Sequence, residues 1–141
     1  MNSKLIFVPM MALVFWTFII MLFMAYKRFS AGFAGRLKPG AFKVGESLEV
    51  PRDVRLANRN FINLFEIPVL FYALCLALYA THNVTETLLV LSWIYVLLRV
   101  AHSVIHVSYN KILHRFSIYA TSSFVLLAMW IIFAVALYRR T

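Results

Sequence analysis

The stretch R-D-V-R-L-A-N-R-N-F-I-N-L-F-E-I-P, residues 52–68, decides how this chain is arranged. It holds three arginines, three asparagines and a glutamate, yet it runs straight into the apolar segment V-L-F-Y-A-L-C-L-A-L-Y-A of residues 69–80. Read as a helix, it puts Arg59, Asn63 and Glu66 at i, i+4 and i+7, on one face, with Arg55 on or near the same stripe. Ionised side chains at the centre of a membrane helix cost roughly 2.5–3.5 kcal/mol each on insertion scales. They persist where they face a protein interior or a wet cavity, so this stripe marks an inward polar face.

Composition sets the frame. The chain has 141 residues, of which 63% are hydrophobic and only 13% charged. A soluble domain of this length has too little interior to hide that much apolar side chain. Four long apolar runs carry the excess and predict an all-α membrane protein, a bundle of four transmembrane helices in one domain over 1–141. The net charge of +9 does not imply nucleic acid, because the basic residues crowd at the ends of the apolar runs, where they anchor and orient a membrane protein. The single cysteine, Cys75, excludes an intrachain disulfide and a thiolate metal cluster.

The first span is expected at about 5–26, read as a retained helix rather than a cleaved leader. A loop rich in Gly, Pro, Lys and Arg follows, and the second span is expected over 53–80. Asp53 sits in its first turn, where the helix dipole favours a carboxylate. Pro68 lies inside it and predicts a kink or a 3₁₀ adjustment just beyond the polar face. The third span is expected at 87–109. Its second half carries Arg99, His102, His106 and Tyr109 at i, i+3, i+7 and i+10, again one face. The fourth span is expected at 116–138.

Four spans place both termini on one side. Residues 27, 28, 36, 38, 43, 52, 55, 59, 111 and 115, ten of the fourteen Lys and Arg, lie on the other side. The positive-inside rule assigns that side to the cytoplasm, and the polar halves of the second and third spans fall there too. Glu66 and Arg99 stand at comparable depth, which predicts an ion pair or shared ligand contacts. Arg55, Arg59 and Arg115 exceed the carboxylates near them, and guanidinium forks suit a carboxylate or phosphate. His102 and His106, at i, i+4, lack a clear third metal ligand apart from Glu66. They read as polar groups lining a cavity rather than as a metal site.

These residues resemble the MAPEG family, the membrane-associated proteins of eicosanoid and glutathione metabolism. Its second-helix pattern is an Arg, an Asn four later and a Glu three after that, then a Pro; Arg59, Asn63, Glu66 and Pro68 match it, the proline one or two positions early. The third-helix pattern is similar to R-V-A-H-S-V-I-H-V-S-Y-N-K-I-L-H-R, residues 99–115. The resemblance covers essentially the whole chain. It implies a homotrimer with glutathione as co-substrate, bound at subunit interfaces in the cytoplasmic half of the membrane. It also implies a lipophilic second substrate reached from the membrane lipids. By the same resemblance Arg115 stabilises the glutathione thiolate with Tyr119 beside it, as the catalytic residues. Arg55, Arg59, Asn63, Glu66, Arg99, His102 and His106 hold the tripeptide. Two departures stand out. His106 replaces a usual tyrosine, and Phe116 stands where some members keep a small hydroxyl residue. The implied activity is a glutathione transferase or peroxidase, with a non-catalytic glutathione or lipid binder and a small transporter subunit as the other readings. The short loops suit a bacterial inner-membrane protein with periplasmic termini.

Overall fold

The computed structural model describes residues 2–38, 40–42 and 49–139. Pro39, Lys43, Gly45 and Ser47, which fall in the loop expected after the first span, lie outside the described residues. A 3₁₀ turn, Ser3–Ile6, leads into α1 (Phe7–Phe33), followed by α2 (Arg52–Asn63), α3 (Pro68–Ala80), α4 (Glu86–Val107) and α5 (Ile112–Tyr138). With α2 and α3 counted together, four helical segments are long and apolar enough to cross a membrane. The molecule is an all-α, four-span integral membrane bundle.

The helix ends follow local chemistry more closely than hydrophobicity. α1 continues past Tyr26 because nothing after Lys27 breaks it until Gly35, whose φ of +66° is open to glycine. There Arg36 N–H donates to the Ala31 carbonyl (2.9 Å) and Gly35 N–H to the Gly32 carbonyl (3.0 Å), the Schellman pattern. α4 is capped at its start by the Thr85 hydroxyl, which accepts from Leu88 N–H. It stops two residues short of the expected end, where Asn110 turns into the left-handed region and donates to the Ile105 carbonyl. α5 starts four residues before the expected position. The extended backbone of Lys111 caps it, so Arg115 sits inside the helix and not in the turn before it.

The second span runs over Arg52–Ala80, and the adjustment expected at Pro68 is deep enough to divide it into α2 and α3. Residues 64–67 leave the α-helical pattern: Leu64 N–H donates to the Phe61 carbonyl and Phe65 N–H to the Ile62 carbonyl, one residue tighter than α-helix. The proline explains the position. Pro68 has no N–H, and in a continuous helix its ring would collide with the carbonyl of Leu64, four residues back. The disruption therefore falls in the turn before the proline and takes in Glu66, rather than lying beyond the polar face. Pro68 itself occupies the first turn of α3, where a missing donor costs nothing.

Away from the basic end, the bundle closes on an apolar core that includes Leu13, Phe71, Leu74, Leu78, Leu88, Tyr95 and Met129. Phe71 and Tyr95 stack with centroids 4.7 Å apart and join α3 to α4. Outward, Phe15, Leu22, Leu97 and Phe124 are more than half exposed, as suits side chains that meet hydrocarbon. In the basic half, α2 and α4 are joined by a fully buried reciprocal pair. Asn60 Nδ2 donates to Ser103 Oγ (2.8 Å), and Ser103 Oγ donates back to Asn60 Oδ1 (3.0 Å). Interhelical hydrogen bonds in membranes contribute about 0.5–1.7 kcal/mol. Asn60→Ala and Ser103→Ala are each expected to lower stability in detergent unfolding by about 1 kcal/mol, and the double variant by clearly less than the sum. Additive losses would show that the two side chains do not act as a pair.

Candidate functional site

A cleft of about 430 Å³ opens between the second, third and fourth spans. It is lined by Arg59, Ile62, Asn63, Glu66, His102, His106, Ile112, Arg115, Phe116 and Tyr119. The volume falls in the usual range for small-ligand pockets, roughly 300–1,000 Å³. α2 supplies Arg59, Ile62 and Asn63; the break supplies Glu66; α4 supplies the two histidines; α5 supplies the rest. Seven of the nine residues predicted from the sequence line this one space.

The other two do not. Arg55, one turn back along α2 from Arg59, is not among the lining residues. Arg99 is fully buried behind the wall. Its Nη2 donates to the Asn63 backbone carbonyl at 2.7 Å, and its guanidinium carbon lies 5.3 Å from the centre of the Tyr119 ring. The expected Glu66–Arg99 ion pair does not form within 4.0 Å. The broken backbone accounts for this. In a continuous helix the Asn63 carbonyl would accept from Ile67 N–H. Pro68 prevents that, the carbonyl is left free in a low-dielectric interior, and the nearest strong donor takes it. Glu66 stays exposed in the cleft.

The α5 end of the cleft is organised around Arg115. Its Nη1 donates to Asn110 Oδ1 at 2.8 Å and lies 3.4 Å from His106 Nε2. Its backbone carbonyl accepts from His102 Nδ1 at 3.2 Å. One residue thus fixes both histidines, and each keeps a second ring nitrogen, His102 Nε2 and His106 Nδ1, with no protein partner. Arg99 Nε and Nη1 are in the same position. His102 also packs on Tyr119, centroids 5.7 Å apart. Arg59 and Arg115 against Glu66 leave the lining cationic, and the first turn of α5, at Ile112, adds the positive end of its dipole. Among the described residues no group of three His, Cys, Asp or Glu side chains converges on a metal position.

Sequence reading missed Asn110, which fixes Arg115, and the Asn60–Ser103 pair. The signal for the pair was present: both are polar residues in the halves of the spans already marked as polar. Ile62 and Ile112 join Phe116 in giving the cleft an apolar side, with Ile112 and Phe116 strongly exposed.

Geometry alone defines a four-span membrane protein with a cationic cleft between its spans, polar on one side and apolar on the other. Comparison with protein families agrees with that class: the family model of the MAPEG family matches residues 6–135. The chain belongs to the MAPEG family, which is broadly linked to glutathione-dependent lipid metabolism. Neither the curated proteins nor the solved structures give a match.

The Arg99–Asn63 contact yields a direct test. A hydrogen bond to a charged group contributes about 1.5–3 kcal/mol, so Arg99→Met is expected to lower stability by roughly 2 kcal/mol. In a Pro68→Ala background Ile67 N–H can take the Asn63 carbonyl, and the same substitution is expected to cost markedly less in detergent unfolding. An equal cost in both backgrounds would separate Arg99 from the break.

Proposed function

We propose that this protein is a glutathione-dependent membrane enzyme, a transferase or peroxidase, acting on lipophilic electrophiles or hydroperoxides. The observation that carries the reading is the convergence of Arg59, Asn63, Glu66, His102, His106, Arg115 and Tyr119 on one cleft. Glutathione has two carboxylates, an amine, two amides and a thiol. Arg59 and Asn63 suit a carboxylate, Glu66 the amine, and the free nitrogens of His102 and His106 the amide groups or the thiol. Arg115 and the α5 N-terminus favour the thiolate over the thiol. Arg99 serves by holding the Asn63 carbonyl and backing Tyr119, and Arg55 adds positive potential at the mouth. The apolar side formed by Ile62, Ile112 and Phe116 suits a second substrate arriving from the bilayer. In the transferase reaction sulfur bonds to the electrophilic carbon and the leaving group departs. In the peroxidase reaction the thiolate attacks a hydroperoxide oxygen, giving the alcohol and a sulfenic acid that a second glutathione resolves to the disulfide and water.

The assembly follows the family: a homotrimer, in an inner membrane of bacterial type, with periplasmic termini and the cleft toward the cytoplasm. The basic residues gathered at the cleft end support that orientation. Native mass spectrometry of the protein released from detergent is expected to give the mass of three copies, and a monomer under gentle release would count against the trimer.

One observation favours a non-catalytic glutathione binder. Arg115 Nη1 is already committed to Asn110 and His106, which leaves less of the guanidinium for a thiolate. The packing argues against transport, because the far half of the bundle is closed by its apolar core.

Thiolate absorbance in the ultraviolet on mixing the purified protein with glutathione separates these readings. A thiolate signal is expected at neutral pH. A nearby cation lowers a pKa by about 1–3 units, so Arg115→Ala is expected to cut the signal about tenfold or more and to move the midpoint of its pH dependence upward. Arg59→Ala and Glu66→Ala are expected to weaken glutathione binding about 10- to 100-fold, each removing a charged hydrogen bond. Binding with no thiolate would select the binder, and no binding at all would sink both.

A further inference from the structure

A second cleft, of about 620 Å³, lies at the same end of the bundle but between α1, the start of α2 and the end of α4. It shares no residue with the first. From it we infer a binding site for the headgroup of an anionic phospholipid, independent of the glutathione reading.

Charge is the first argument. Lys27 of α1, Arg36 of the following loop and Arg52 of α2 line the cleft, with Asp53 as the one acidic residue among the described lining. Asp53 is fully engaged: Lys27 Nζ lies 3.6 Å from one carboxylate oxygen and Arg36 Nη1 3.3 Å from the other. Arg52 is exposed and has no hydrogen-bond or ion-pair partner among the described residues. Three cations face one carboxylate, and the α2 N-terminus adds its positive end. α4 and the turn after it contribute Val107, Ser108, Tyr109 and Asn110 and no charge.

The second argument is the polarity gradient, which selects a lipid over a soluble anion. Phe23 lies one turn below Lys27 on α1, about 6 Å deeper, and the Lys27 ammonium sits 5.6 Å from the centre of its ring. Leu56 stands one turn below Arg52, and Val107 ends α4 beside them. A cationic rim thus overlies an apolar floor, with the half-exposed Tyr109 ring at the level where tyrosine marks a membrane interface. A phosphodiester at the rim with its acyl chains leaving over Phe23 satisfies both parts. An inorganic anion satisfies only the rim.

The test uses the full-length protein in detergent, titrated with phosphatidylglycerol and phosphatidylcholine of identical chains, bound lipid being counted by native mass spectrometry. Each basic residue near a surface contributes about 1 kcal/mol toward an anionic lipid. Phosphatidylglycerol is therefore expected to be retained about tenfold better, with Arg52→Gln lowering the preference about fivefold and leaving glutathione binding unchanged. Lys27→Gln is expected to lower it as well, while Arg52, exposed and without a partner among the described residues, keeps the test open should that second variant fold poorly. Equal retention of the two lipids, as when another copy of the chain covers the cleft, would overturn the inference. So would a preference that survives Arg52→Gln, or inorganic phosphate competing as strongly as the lipid.

Discussion

The packing of the second, third and fourth spans around the cleft depends on a single backbone carbonyl that cannot be satisfied within its own helix. Pro68 takes the second span out of α-helical register over 64–67, and the Asn63 carbonyl loses its natural donor. In water that loss is trivial. In a membrane interior an unmet carbonyl costs several kcal/mol, enough to dictate which side chain is drawn to it. Arg99, about two turns from the end of α4, answers it. Burying a guanidinium is expensive in turn, which is why the Tyr119 ring lies against it and why α4 and α5 pack closely there. Proline, carbonyl, arginine and tyrosine form a chain of compensations linking the second, third and fourth spans, and the cleft is the space this chain leaves open.

The break also changes what Glu66 is. On an unbroken helix it would lie on the Arg59–Asn63 stripe, at a depth where Arg99 would neutralise it. Released from that helix and deprived of Arg99 by the carbonyl, it stays exposed in a cleft that two arginines also line. An ion pair would have locked the helices together and left nothing to bind. A glutamate held short of its arginine leaves its carboxyl group open to the cleft.

Spans and polar faces were legible in the sequence because each rests on a strong, local signal. Runs of apolar residues longer than a bilayer crossing admit one explanation, and Arg59/Asn63/Glu66 and Arg99/His102/His106 repeat at helical spacing. Helix ends were less legible. Hydrophobicity measures the part of a helix that sits in lipid, whereas Gly35, Asn110 and Lys111 decide where it stops, so α1 runs seven residues past Tyr26 and α5 begins four before Phe116. Arg99 was misread for another reason. A sequence displays side chains, and its carboxylates are the obvious partners for a buried arginine. The acceptor that won is a main-chain oxygen, that of Asn63, visible only after following what a proline does to the turn before it.

The cleft's polar atoms divide in a way that bears on its chemistry. Groups that fix geometry are paired: Asn60 with Ser103, Arg115 with Asn110, His102 Nδ1 with the Arg115 carbonyl. Groups left without a protein partner, His102 Nε2 and His106 Nδ1, belong to residues that line the open space. Other buried polar atoms without a partner among the described residues, Trp16 Nε1, Arg28 Nε and Tyr95 Oη, belong to residues that do not line the cleft; the two histidine atoms differ in that each sits on a ring already oriented through its other nitrogen. An imidazole held that way presents its other nitrogen to the cleft, to accept or to donate according to its tautomer. Together with a fixed guanidinium, the two rings suit a ligand that is both anionic and rich in amide groups better than they suit a bare anion.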